Sequence, residues 1–348
     1  MLSWNDYLNM QRITRTHSST TTTASYRARR VAWRSTLVAC AVGALAAPGV
    51  ASAADTLIAP DPAAAEVAAL DGTVVWASGA FGEEQVLMQR AGGVIRRVKD
   101  APRAYGYGSI DLGHNTKGRV VLTYQRCSKT KCTPIRDNLA GQRVSYKHLT
   151  IARCGLTAGP AVSGTRVAYG LYCRTPGNRP DDKRSGLYVK NGSGSPRRLR
   201  LPADAVRFGV TNINAVDMRG TRVAAIAADV YEYAFTETVN GNGLRSLRVA
   251  SSDGDSSEQA RGVSLGTSNA MWTLVDSYVT DYPNRADIFK VSRTCSRLES
   301  LVNPSGPNQQ QGFPATDLAV DRTTLYLVVP GTGIVKHDFA PQGDCLKL

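Results

Sequence analysis

The side chains best suited to chemistry in this chain are tyrosines and a phenylalanine interleaved with arginines and lysines. Tyr105, Tyr107, Phe208, Tyr231, Tyr233 and Tyr282 lie in polar segments that also carry Arg126, Arg143, Arg207 and Arg285. Lys129, Lys131, Arg136, Arg174, Arg179, Lys183 and Arg184 add further positive charge to those segments. An aromatic face takes an apolar sugar or aliphatic surface, and a cation takes a carboxylate, sulfate or phosphate. These residues therefore suit a polysaccharide, an anionic polymer, or an acidic peptide or protein. Nucleic acid is not expected. The cations are spread over several segments with Asp181, Asp182, Glu232 and Asp281 among them, not gathered on one helix or strand.

Catalytic patterns are scarce. No G-x-S-x-G, H-E-x-x-H or phosphate-binding glycine loop is present. Beyond residue 53 the only histidines are His114, His148 and His337, and the spacing puts the last two in strands. Asp253 to Glu258 reads DGDSSE, which has the start of a calcium loop without its sixth-position glycine or twelfth-position glutamate. It is expected to be an ordinary turn between a third and a fourth strand. No catalytic residue, no metal ligand and no cofactor is assigned from these patterns.

The elements that must hold the aromatic and cationic segments are strands. Val67–Lys99 shows four short apolar runs punctuated by Asp71-Gly72, Ser78-Gly79 and Ala91-Gly92-Gly93, the pattern of an antiparallel meander. A lone four-stranded sheet leaves two faces and two edges open, so it needs neighbours of its own kind. The turn–strand signal recurs at Gly118, Gly164 and Gly220, at spacings of 46, 46 and 56 residues from Gly72 onward. Weaker copies follow at Thr267–Trp272 and Asp321–Tyr326. Third-strand counterparts are read at Lys147–Ile151, Gly186–Val189, Ser246–Val249, Asp287–Val291 and Gly333–Lys336. A period near fifty residues with four strands per repeat describes propeller blades. The expected fold is all-β, a six-bladed β-propeller of four-stranded antiparallel blades.

The residues Asp71-Gly72-Thr73-Val74-Val75-Trp76, followed by Val86 to Val98, resemble the repeat of TolB-like six-bladed propellers, and Gly186–Leu199 resembles its second half. The Ser-Pro that precedes Asp-Gly in that family is absent from every copy here. In a meander the second-to-third-strand loops and the blade-to-blade connections share one face. Long loops are expected there at Arg126–Arg143, Cys173–Ser185, Tyr231–Gly243 and Ser277–Ala286, with connections at Asp100–Ser109, Pro202–Asn212 and Asn303–Ala315. Binding is expected on that face. Innermost strands are expected to begin near Glu66, Asp111, Asn214 and Asp317. The rival reading is a metal-dependent hydrolase of the gluconolactonase type, in which such residues hold a divalent metal.

The compartment is legible at the N-terminus. Arg27 to Ala53 places basic residues before an apolar stretch and ends in Ala51-Ser52-Ala53, the form of a secretory signal rather than a membrane span. Cleavage there leaves 36 basic and 27 acidic residues, so part of the formal charge of +14 leaves with the signal. Leu37-Val38-Ala39-Cys40 offers a lipoprotein alternative at Cys40, and the apolar run passes beyond it. The expected organisation is 1–53 N-terminal extension and signal peptide, 54–65 flexible lead-in and 66–348 propeller domain, exported to the cell envelope or beyond with no membrane span in the mature chain. Six cysteines then remain, an even number that suits disulfides. Cys127 can pair with Cys132, and Cys295 with Cys345. The same strand assignment puts Cys154 and Cys173 on opposite faces, so either they are free thiols or the strands around Cys154 are misplaced.

Overall fold

The structure is a computed structural model. It describes residues 56–338 except 150, 230, 254–255, 267–269, 280–281, 292–295 and 300–314. Antiparallel strands dominate. The first meander is β2 (Ala64–Leu70), β3 (Thr73–Ser78), β4 (Val86–Ala91) and β5 (Val94–Arg97). Asp71 and Gly72 both take positive φ, 49° and 74°, the conformation of a tight hairpin turn whose twist matches its strands.

β6 (Gly106–Asn115), β7 (Val120–Cys127), β8 (Cys132–Asp137) and β9 (Arg143–Ser145) follow. Next come β10 (Cys154–Gly164), β11 (Arg166–Cys173), β12 (Gly186–Asn191) and β13 (Arg197–Arg198). These eight form one sheet, because β6 and β10 pair in parallel at His114↔Ser163 and Asn115↔Gly164. A short helix, α1 (Ala203–Arg207), leads into β14 (Ile213–Arg219), β15 (Arg222–Ala228), β16 (Tyr231–Thr238) and β17 (Arg245–Asp253). β17 pairs with β18 (Ser256–Leu265), which continues through β19 (Met271–Val279), β20 (Tyr282–Val291) and β21 (Ser296–Glu299) as a second eight-stranded sheet. The last sheet contains β22 (Asp317–Asp321), β23 (Thr324–Val329) and β24 (Gly333–Asp338). Its fourth strand is β1 (Thr56–Pro60), which pairs with β24. The expected flexible lead-in thus contains an ordered strand.

The first strands of the meanders, β2, β6, β10, β14, β18 and β22, each pack against the next, and β22 packs against β2. The fold is a β-propeller. Its apolar core lies between neighbouring meanders. Val75, Ala77 and Leu87 meet Leu112, Leu122 and Tyr124, for example, and Trp272 and Leu274 meet Leu318, Leu325 and Leu327. Full burial of a side chain such as Leu87 contributes about 2 kcal/mol.

Close approach of the first strands explains their small residues. A Cβ on Gly113 of β6 would lie 1.8 Å from the Val162 carbonyl oxygen of β10. Polar side chains tie one first strand to the next. Glu66 accepts from the Ile110 N–H at 3.1 Å, and Asp317 from the Val67 N–H at 2.8 Å. Asp217 accepts from the Leu265 N–H at 2.5 Å, and Ser264 Oγ from the Val320 N–H at 3.0 Å.

Several expected boundaries differ. Tyr231–Gly243 is not a loop: β16 fills most of it. Arg126–Arg143 is a hairpin of β7 and β8 followed by the turn into β9. Lys147–Leu149 is a single 3-10 turn, so His148 is not in a strand. Ser246–Val249 belongs to the fourth strand of its meander, so Asp253–Glu258 spans the junction of β17 and β18 rather than a third-to-fourth-strand turn.

Candidate functional site

A cleft of about 620 Å³ opens between the first two meanders. Its walls come from three segments: Gly82–Glu84 between β3 and β4, Arg103–Tyr105 before β6, and the β7–β8 hairpin at Arg126–Lys129, Lys131 and Thr133. All three lie where second strands pass to third strands or one meander passes to the next, the face expected to carry the long loops.

The first two walls are held by the buried side chain of Gln85. Its Nε2 donates to the Gly79 carbonyl at 2.6 Å, and its Oε1 accepts from the Tyr107 N–H at 2.7 Å. The Gln85 and Ala104 backbones exchange two hydrogen bonds at 2.8 and 3.1 Å. Phe81 packs edge-on to Tyr105 with ring centroids 5.9 Å apart. It fits because Gly106 has no side chain; a Cβ there would come within 2.3 Å of the Phe81 ring.

The third wall is a covalently closed hairpin. Cys127 and Cys132 face each other across β7 and β8 and are bonded. Inside the loop the Ser128 N–H donates to the Lys131 carbonyl at 2.8 Å, and Ser128 Oγ accepts from the Lys131 N–H at 3.1 Å. The exposed Arg126, Lys129 and Lys131 make no ion pair among the described residues. Arg103 is tied to Glu84 at 2.6 Å. The cleft therefore offers an aromatic surface, three uncommitted cations, and the carboxylates of Glu83 and Glu84 as acceptors for hydroxyl groups.

A second aromatic–cationic group sits on the same face after β13. Phe208, which follows α1, and Tyr231, at the start of β16, pack with centroids 4.9 Å apart. Arg207 lies 5.7 Å from the Phe208 centroid and Arg248 5.8 Å from that of Tyr231. Phe208 remains 49% exposed.

The remaining sequence candidates separate from these groups. Tyr107 is core: it packs edge-on to Tyr124 at 5.4 Å, its hydroxyl donates to the Pro102 carbonyl, and burial pushes its pKa up to about 12. Tyr233 is likewise buried in the core, between the meanders that begin with β10 and β14. Arg143 is committed, with Nε 2.6 Å from the fully buried Asp137 carboxylate and Nη2 donating to the Lys99 carbonyl. Tyr282 and Arg285 belong to β20, not to a loop, and their side chains lie outside the described part, as do Cys295 and Cys345. Phe81, Glu83, Glu84, Arg103 and Arg248 were missed. Tyr105, Arg126, Lys129 and Lys131 were the sequence signals for the cleft.

Glu66, Asn214 and Asp317 lie at the starts of the first strands β2, β14 and β22, as expected, whereas Asp111 lies midway along β6, which begins earlier, at Gly106. Glu66, Asp317 and Asp217 spend oxygen lone pairs on neighbouring backbone N–H groups, as described above. Arg219 reaches across from β14 to the Ala69 carbonyl of β2 at 3.0 Å and the Val320 carbonyl of β22 at 2.6 Å. Burial raises the Asp111 pKa well above the usual carboxylate range, the Asp217 charge adds to this, and Arg219 opposes it. Burial and then the Glu66 charge raise Asp317 to about 8. Burial also raises Glu232 to about 7, opposed by its bond from the Ala260 N–H. Among the described residues no three His, Cys, Asp or Glu side chains are grouped to hold a metal ion. These hydrogen bonds stitch neighbouring first strands together.

Cys154 and Cys173 are bonded, facing each other at the paired ends of β10 and β11. The expected separation on opposite faces is corrected: Cys154 opens a first strand, so both cysteines lie at the long-loop end. Two disulfides point to an oxidising, extracellular environment. Among the described residues no helix is long and apolar enough to cross a membrane.

No family model and no curated protein matches the sequence. Solved structures do match over most of the chain. A puromycin-hydrolysing peptidase of Mycobacterium tuberculosis is similar at 12% identity and TM-score 0.44, over 82% of this chain and 52% of that one. This chain thus spans about half the length of that peptidase. Virginiamycin B lyase of Staphylococcus aureus is similar at 10% identity and TM-score 0.43, over 83% of this chain and 99% of that one. The six-bladed fungal lectin of Aleuria aurantia is similar at 9% identity and TM-score 0.43, over 81% and 94%.

Proposed function

We propose that this chain is an exported six-bladed propeller that acts as a binding module through its long-loop face. Residues 1–53 are the extension and signal removed on export, and residues 54–65 contribute β1 to the propeller of residues 66–348. Six apolar clusters among the described residues support the blade count, one between each pair of neighbouring meanders and the last returning to the first. The repeat resembles that of TolB-like propellers, and the chain is placed in the cell envelope or outside the cell.

One observation carries the binding reading. A cleft of about 620 Å³, within the usual size of ligand sites, brings Tyr105 together with Arg126, Lys129 and Lys131 on a disulfide-closed hairpin. A wall closed in this way loses little conformational entropy when it takes a ligand. The ligand class it suits is anionic. Four cations stand against two carboxylates in the lining, and one of those cations is neutralised by Glu84.

The test is a panel of acidic and neutral oligosaccharides and acidic peptides, titrated against wild type and a Lys129→Ala/Lys131→Ala variant. Binding confined to acidic members and weakened at least about tenfold in the variant is the expected result. Equal binding by wild type and variant across the panel excludes the cleft. A stoichiometric divalent ion, lost on chelation together with a hydrolytic activity, would replace this reading with the hydrolase one.

A further inference from the structure

Aromatic rings with cations near them recur along one face of the propeller. The cleft between the first two meanders holds Tyr105 with Arg126, Lys129 and Lys131. In the third meander Arg174 lies 5.6 Å from the ring centroid of Tyr172, where β11 passes toward β12. Beyond it stands the group of Arg207, Phe208, Tyr231 and Arg248, in which Phe208 is about half exposed and each ring has one arginine beside it. The three groups belong to successive meanders and share the long-loop end by chain direction. Acidic side chains are interspersed there: Glu83 in the cleft, Asp181 and Asp182 between β11 and β12, and Asp204 in α1.

Resting on the binding reading above, we infer that the ligand is a linear acidic polysaccharide bearing carboxylate or sulfate groups, and that it runs from the cleft along this face to Phe208. Three features favour that class. Partly exposed aromatic rings can pack the C–H faces of sugar rings. Cations set apart by other residues match a polymer charged at intervals rather than at every backbone unit. The interspersed carboxylates accept hydrogen bonds from sugar hydroxyls, whereas they repel a continuous line of phosphates. Linking the weak outer contacts to the cleft through one polymer strengthens binding with no change in the cleft itself.

The experiment measures Kd for size-fractionated oligogalacturonates, from disaccharide to dodecasaccharide. The proteins are wild type, an Arg207→Ala/Phe208→Ala variant and a Lys129→Ala/Lys131→Ala variant, each first shown to keep the wild-type thermal midpoint. The long oligomer is expected to bind at least about tenfold more tightly than the disaccharide. The Arg207→Ala/Phe208→Ala change should weaken the long oligomer by about threefold or more and leave the disaccharide unchanged. The Lys129→Ala/Lys131→Ala change should weaken both. Equal affinity for short and long oligomers, with no effect of the Arg207→Ala/Phe208→Ala change, overturns the extended track while leaving the cleft standing. Indifference of every oligomer to the Lys129→Ala/Lys131→Ala change overturns the cleft as well. Equal or tighter binding of single-stranded DNA, polyglutamate or a neutral dextran oligomer overturns the polysaccharide assignment.

Discussion

Burial decides what each charged residue does in this protein. Arg126 and Arg143 look alike in the sequence, yet one lines an open cleft and the other answers a fully buried carboxylate at Asp137. Arg143→Ala leaves that carboxylate without its partner, which costs about 3 kcal/mol. Chemical denaturation should show the loss, and oligosaccharide binding at the cleft should persist. Asp317 makes a pH prediction. Its pKa is raised to about 8 from an ordinary 3.8, so the folded chain holds a proton that the unfolded chain releases. Its contribution is therefore full at low pH, falls as pH rises between roughly 4 and 8, and is flat above. Asp317→Asn keeps an acceptor for the Val67 N–H and cannot ionise. Denaturation midpoints should therefore fall less steeply with pH in the variant across that window, and parallel curves would refute the assignment.

The elements show how far the sequence could be read. The first meander was legible because Asp71-Gly72 and Ala91-Gly92-Gly93 mark its turns and its runs are apolar. β10 was not. Its sequence CGLTAGPAVSG has little apolar bulk because the strand lies against other backbones, and a register shift between Ala158 and Ala161 breaks the alternation. β16, YEYAFTET, reads as a loop because of its polar residues, but Glu232 and Glu237 are buried there. Glu232 accepts from the Ala260 N–H and Glu237 from the Thr238 N–H. Such shifts recur in the first strands β2, β6, β14 and β18, where bulges re-aim side chains, and no sequence period reveals them. Half of the cleft was visible, as Tyr105, Arg126, Lys129 and Lys131. The opposite wall, Gly82–Glu84, was hidden because its acids face the cations only once the two meanders pack. The disulfides differ in role. Cys154–Cys173 closes a separation of 19 residues, and its removal by paired serines should lower stability by about 3 kcal/mol. Cys127–Cys132 spans five residues, and its removal should act mainly on ligand affinity, by loosening the Lys129–Lys131 turn.

At the scale of the whole molecule, β1 supplies the fourth strand of the last sheet, so the two ends of the described chain are joined in one element. Export should leave a mature chain beginning at Ala54, just before that strand, which N-terminal sequencing of the secreted protein checks. A lipid-modified start at Cys40 would contradict it. Peptide mapping under non-reducing conditions should find Cys295 bonded to Cys345, and any other partner for Cys295 would unseat the alignment of the last two blades. A ligand is expected in the cleft between the first two meanders. The most direct measurement is amide hydrogen exchange of the intact protein with and without saturating acidic oligosaccharide. Binding in the cleft predicts slowed exchange at 79–85, 103–107 and 126–133, with the short-turn face at 71–72, 92–93 and 220–221 unchanged. Protection centred on that opposite face, or none in the three cleft segments while the ligand is bound, would contradict it.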